Sequence, residues 1–144
     1  MKLNFFSSGT SVNNLNLSAL LLRVVSGGFM IYQHGAGKFT RFFADEKIEF
    51  EDPFGIGATA TLGLAVFAEV VCAGMLVIGL MTRYALIPLI FTMVYAAFFY
   101  HAEDSFADKE MALLYLAVYF ALLLIGPGRY SIDRLVRRRR STIS

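Results

Sequence analysis

The apolar positions of this chain gather into four long blocks, roughly 15–36, 58–80, 84–102 and 110–127, with short polar stretches between them. About 20 mostly apolar residues are needed for a helix to cross a bilayer. No stretch alternates apolar and polar positions long enough for barrel strands. Backbone in hydrocarbon must satisfy its own hydrogen bonds, so the blocks predict helices. The polar stretches are "GKFTRFFADEKIEFEDPFGIG" (37–57), "MTRY" (81–84) and "HAEDSFADKE" (101–110). The first reads as a loop with room for a short interfacial helix and the second as a tight turn, which makes the second and third blocks antiparallel neighbours. In the third, Asp108 is placed as the N-cap of the last helix with Glu110 in its first turn. Pro88 is placed in the first turn of a helix starting near Tyr84, where its missing N–H costs nothing. "GPG" at 126–128 stops the last helix. The fold class is therefore all-α: an integral membrane four-helix bundle over 15–136, with a polar tail at 1–14 and a basic tail at 137–144.

Composition agrees. Of the 144 residues 57% are hydrophobic, against about 45–50% for a soluble domain. The net charge of +2 says little, but its distribution sets a direction. With both termini inside, Lys2, Arg83, Arg129, Arg134 and Arg137–Arg140 lie on the inner side, and only Lys38, Arg41, Lys47 and Lys109 outside. Basic residues favour the cytoplasmic face, so the orientation is N-in, C-in. The run Arg137–Arg140 reads as an anchor against anionic lipid, and nucleic acid is not expected as a partner. Cys72 is the only cysteine and lies in an apolar run, which excludes a thiol–disulfide relay within the chain. The opening "MKLNFFSSGTSVNNLNLS" is too polar for the front of a signal peptide, and the first apolar block is expected to be retained.

Two charges interrupt the apolar blocks: Arg23 in the first and Glu69 in the second. A charge in hydrocarbon costs at least about 2.5 kcal/mol unless compensated. Counted from the inner face, Arg23 and Glu69 stand at about 12 and 16 Å, within reach of each other. Small residues flank both, Ala19 and Gly27 around Arg23, Ala65 and Ala73 around Glu69, which lets helices approach closely. An intramembrane ion pair, Arg23–Glu69, is the expectation, serving to lock two helices.

A second polar group collects at the outer ends. Gln33, His34 and Lys38 close the first helix, His101 and Glu103 close the third, and Glu110 opens the fourth. Together they suggest a polar mouth in a bundle, where such bundles build sites. The spacing carries no metal-ligand signature, so no metal is expected. A quinone head group suits the place better, since it wants donors at the interface and an apolar slot for its tail. The candidate ligand-binding residues are Gln33, His34, Lys38, His101 and Glu110, with no catalytic residue assigned. The aromatic residues at 84, 91, 95, 98–100, 115, 119 and 120 read as packing and interfacial anchors.

The pattern R-x-x-x-G-x(6)-H-G-x-x-K from Arg23 to Lys38 resembles the DoxX family of small membrane proteins. So do the glutamate in the second block, "GLMTR" after it, the histidine–acid loop, and "GPGRYSID" at 126–133. The resemblance covers about residues 18–134. The matching positions are Arg23, His34, Gly35, Lys38, Glu69, Gly79, Arg83, His101, Glu110, Gly126, Pro127 and Gly128. The acidic loop 41–53 departs from the family pattern and suggests a docking surface. The resemblance implies a multi-pass protein of the bacterial inner membrane, linked to redox complexes. The family takes its name from a subunit of an archaeal thiosulfate:quinone oxidoreductase, and some bacterial relatives assemble with superoxide dismutase and a sulfurtransferase. The leading expectation is thus a small subunit of a quinone-linked oxidoreductase. A non-catalytic anchor or assembly subunit of an envelope complex is the alternative, and a solute carrier the least favoured, because no broken-helix repeats are visible. The partners expected are lipid, other subunits, and a second copy of the chain.

Overall fold

The computed structural model describes residues 11–44 and 47–143, with side chains described as far as Arg139. Most of the polar tail, Asp45 and Glu46 of the acidic loop, and the end of the basic tail lie outside the described residues. All regular structure among the described residues is helical. We number the helices α1 (Val12–Phe42), α2 (Ala58–Ile78), α3 (Thr82–Tyr100), α4 (Phe106–Ile125) and α5 (Ile132–Ile143). The first three are long and apolar enough to cross a membrane. α4 is equally apolar beyond its first turns, which carry Asp108, Lys109 and Glu110.

α1 to α4 pack in a ring: each touches its sequence neighbours, and α4 closes back onto α1. The core is aliphatic, with Met30, Leu62, Leu76, Leu86, Leu89 and Leu122 fully buried. Outward-facing positions are apolar as well, including Leu21, Phe29, Tyr32, Leu64, Ile87, Leu114 and Leu124. An apolar sleeve around buried Arg23, Ser26, Thr61, Glu69 and Thr82 is the distribution expected in lipid rather than water.

Several helix ends differ from the sequence expectation. α1 begins at Val12, capped by the Ser11 side chain, and runs through Gly37 and Lys38 to Phe42, so the start of the expected loop is helix. α3 begins at Thr82, which puts Pro88 inside the helix rather than in its first turn. α4 is capped at Ser105, and Asp108 sits in the first turn, accepting from the Ser105 hydroxyl at 2.7 Å.

The expected Arg23–Glu69 pair does not form. Two close backbone approaches set the register of α1 against α2. A Cβ at Gly27 would lie 2.9 Å from the Ala73 carbonyl oxygen, and one at Gly35 would lie 2.8 Å from that of Glu69. That register places Glu69 level with Gly35 and Arg23 level with Gly79. Arg23 and Glu69 therefore lie about ten residues apart along the bundle, or about 15 Å. The sequence estimate failed because it aligned the ends of the two apolar blocks, whereas Arg23, eleven residues beyond Val12, lies level with Gly79, so the start of α1 runs on past the end of α2.

Arg23 belongs to a lock at the other end. Its Nη2 donates to the Tyr130 carbonyl at 2.6 Å, and its guanidinium feels the Asp133 charge. Asp133 in turn accepts from the backbone N–H of Met81 (2.7 Å) and Thr82 (2.9 Å) and from the Thr82 hydroxyl (2.9 Å). It thereby caps α3 from α5, since Met81 takes a left-handed conformation (φ 46°) and supplies no side-chain cap itself. Gly79, at φ 71°, lies directly under the Arg23 guanidinium, and a Cβ there would overlap Nη1. "GPGRYSID" is thus the clasp that closes the bundle.

Candidate functional site

The opposite end of the bundle is open, and three irregular turns line it. α1, α2 and α3 each contain a π-helical segment in this half: Met30–Gly35, Phe67–Cys72 and Ala96–Tyr100. A π turn bonds i to i+5, as His101 N–H does to the Ala96 carbonyl at 3.0 Å, and it re-aims the side chains it carries. His34 lies on the first segment, Glu69 on the second, and His101 immediately after the third.

These turns surround a cavity of about 780 Å³. Lys38 stands one turn beyond His34 on the same helix face, and its Nζ lies 2.5 Å from Glu69 Oε1. Glu69 is 2% exposed and Lys38 29%. The close approach of Gly35 to the Glu69 backbone is what brings the two helices near enough for this pair. Glu69 Oε2 is buried without a hydrogen-bond partner. The His34 ring meets the Tyr115 ring edge-on, with centroids 5.9 Å apart, and the charges of Glu69 and Lys38 both act on it. His101 lines the rim while its Nδ1 pairs with Asp104 Oδ2 at 2.7 Å.

The loop before α2 forms the cavity's outer wall. Phe54 packs on Phe91 and Tyr95, with centroids at 6.2 and 5.8 Å. Asp52 ties this loop to α2. It accepts from Gly57 N–H (2.7 Å), Ile56 N–H (3.0 Å) and the Thr61 hydroxyl (3.0 Å). These bonds, Gly57's foremost, hold its carboxyl below the usual carboxylate range. A shallower depression lined by Gly37, Thr40, Arg41, Ala44, Lys47 and Glu49 has only exposed residues on its walls.

Of the five ligand residues expected from the sequence, the cavity brings together His34, Lys38 and His101. Gln33 and Glu110 are exposed and stand outside it. Glu69, assigned to the ion pair with Arg23, belongs to the cavity. Sequence reasoning also missed Tyr115, Thr61, Asp108 and Phe54 as lining residues. The available signal is the stripe Asp108, Ala112, Tyr115, Tyr119 at helical spacing, in which the sequence reading gives the tyrosines to packing and Asp108 to a helix cap. Phe91, Tyr95 and Tyr100 of the aromatic set are likewise wall residues. Among the described residues, no group of three or more His, Cys, Asp or Glu is placed to hold a metal.

The chain resembles an uncharacterized membrane protein of Mycobacterium tuberculosis, with 28% identity over 74% of this chain and 68% of that protein. Two uncharacterized proteins of Haemophilus influenzae are 30% and 25% identical, over 78% and 85% of this chain and 85% of each relative. No solved structure matches the chain. The family model for DoxX matches residues 18–102, which contain Arg23, Gly79 and every cavity residue named above from α1 to α3. This chain belongs to the DoxX family.

Proposed function

We propose that the protein is a small subunit of a redox complex in the bacterial inner membrane, with four spans and both termini inside, and that its outer cavity binds a quinone. The observation that carries this reading is the ion pair of buried Glu69 with half-buried Lys38, on the wall of a largely apolar cavity, beside a histidine and a tyrosine. Intramembrane ionisable residues are costly and mark ligand or proton sites. The residues fit a quinone: Phe54, Phe91, Tyr95 and Met111 offer flat and aliphatic walls for ring and tail. When bound, a quinone carries two electrons and two protons between partners. His34 and Tyr115 would orient its ring oxygens, since each can donate or accept a hydrogen bond. Lys38 supplies positive charge next to the site, and histidine exchanges protons near neutral pH.

A test is to purify the chain from membranes and identify co-extracted lipophiles by mass spectrometry, beside His34→Ala and His101→Ala. Quinone at near-stoichiometric amounts in the wild type, lost in the variants at unchanged protein level, supports the reading. Equal quinone in all three, or none in the wild type, overturns it.

A second reading, an anchor or assembly subunit, rests on the exposed acids Glu49, Glu51, Asp52, Glu103 and Asp104 at the cavity end. They offer an acidic edge to a basic partner. Neutralising these five together would release a docked partner from the membrane while leaving any ligand in the cavity.

A further inference from the structure

The clasp end of the bundle carries more positive charge than its acids can balance. Arg83, Arg129 and Arg134 each stand one residue from a clasp residue, Thr82, Tyr130 and Asp133 in turn, and Arg137 follows on α5. All four are exposed. The fold gathers them. A Cβ at Gly126 would lie 3.6 Å from Arg83 Nη2, so α3 delivers this arginine to the "GPG" stop. The Arg129 N–H donates to Asn16 Oδ1 of α1 at 2.7 Å. Among the described residues Asp133 is the one acid at this end, and its oxygens already accept from Met81 and Thr82. The same end exposes apolar surface. Ile132, Leu135 and Val136 share a face of α5 at i, i+3, i+4 spacing, with Leu135 61% and Val136 44% exposed. Arg134 and Arg137 lie on the other side of that helix. Tyr84 and Tyr130, both exposed, stand next to Arg83 and Arg129, as tyrosines do at a membrane interface.

We infer that the clasp end docks on anionic phospholipid, and that lipid bound there holds the clasp shut. Leu135 and Val136 enter the acyl boundary while the guanidiniums take the phosphates, the division of labour of an amphipathic basic helix at a bilayer surface. Free phosphate or a nucleic acid would meet the arginines and leave the apolar stripe uncovered. The clasp follows from the same geometry. With it shut, Arg83, Arg129, Arg134 and Arg137, from three segments of the chain, sit at one end of the bundle. With it open, α5 is a twelve-residue helix released at its start, and helices of that length are marginal alone. Lipid that binds the four arginines together therefore favours the shut form, since a ligand shifts an equilibrium only by binding one state more tightly. The arginines do more than anchor: they couple the membrane's charge to the cap that Asp133 places on α3. Nothing in this passes through the cavity.

The experiment is hydrogen exchange on the full chain in lipid nanodiscs, made of phosphatidylcholine alone or of an equimolar mixture with phosphatidylglycerol. The amides to follow are Met81 and Thr82, which donate to Asp133, with Ile56 and Gly57, held by Asp52 at the far end, as controls. One arginine near an anionic surface is worth about fivefold in binding, so exchange at Met81 and Thr82 is expected to slow at least about fivefold in the anionic discs. Exchange at Ile56 and Gly57 should stay as it is. Arg134→Gln with Arg137→Gln, or Leu135→Ser with Val136→Ser, should each cut the protection to below about twofold. Equal exchange in the two lipids, slowing at both ends alike, or faster exchange at Met81 and Thr82 overturns the inference. So does full protection in either double variant. The same protection in zwitterionic discs on adding inorganic phosphate or a short oligonucleotide would show a polyanion site and overturn the lipid assignment. Should a variant fail to fold, the two lipids and the two pairs of amides on the wild type still decide.

Discussion

Lys38 Nζ and Glu69 Oε1 stand 2.5 Å apart, on two helices whose backbones touch at Gly35. The pair is lopsided, with the carboxylate 2% exposed and the ammonium 29%. Removing Lys38 strands a buried carboxylate, whereas removing Glu69 leaves an ammonium on a flexible stem that can reach toward water. Lys38→Met is expected to cost about 3–5 kcal/mol, and Glu69→Gln about 1–2 kcal/mol. Thermal unfolding in detergent measures both, and the reverse order would contradict the described burial.

Arg23 and Glu69 should behave as strangers. In a double-mutant cycle with Arg23→Met and Glu69→Gln, the two costs are expected to add within about 0.5 kcal/mol. A coupling above about 1 kcal/mol would mean that the two groups meet after all. Arg23 should instead couple to Gly79. Gly79→Ala meets both a left-handed backbone and the guanidinium, at a cost of about 2 kcal/mol or more. Shortening Arg23 to Ala should relieve the steric part of that cost, but not the backbone part. Accumulation in membranes and thermal stability report the difference.

Asp52 makes the start of α2 sensitive to acid. Its carboxyl is held below the ordinary range by the Gly57 N–H and its companions, so the folded state favours the ionised form. The stability this contributes is fully present above the unfolded value of about pH 4, and is lost as pH falls through the lowered folded value. Hydrogen exchange at Ile56 and Gly57 should therefore speed up on acidification below about pH 4, after correction for intrinsic rates. In Asp52→Asn the acid step should be absent and exchange fast at neutral pH. An unchanged acid step in that variant would assign the effect to another group.

The orientation proposed from the basic residues is checked by single cysteines in a Cys72→Ala background. One placed in the loop at 47–57 should react with an impermeant maleimide in intact cells. One placed beyond Arg139 should react only after the membrane is opened. Labelling of the C-terminal cysteine alone in intact cells would invert the topology.

The succession of apolar blocks determined helices, their number of apolar stretches and their approximate places, because hydrophobic run length is a property of the chain itself. The chain also showed that Arg23 and Glu69 needed partners, and that His34, Lys38 and His101 gather at one end. Which charge meets which was beyond it. Pairing across helices depends on their relative height, and that is set by close contacts at Gly27 and Gly35, which bring Arg23 level with Gly79 and carry the start of α1 past the end of α2. A shift of about ten residues moved Glu69 from Arg23 to Lys38 and turned a supposed structural lock into a cavity wall. The three π-helical segments were equally hidden, since a single extra residue in a turn leaves no compositional mark, yet each re-aims side chains about the cavity. The cap of α3 comes from Asp133, some fifty positions away, and only the folded chain brings that carboxylate to Met81 and Thr82. Local propensity and hydropathy are written along the sequence; register and side-chain aim are decided where helices touch.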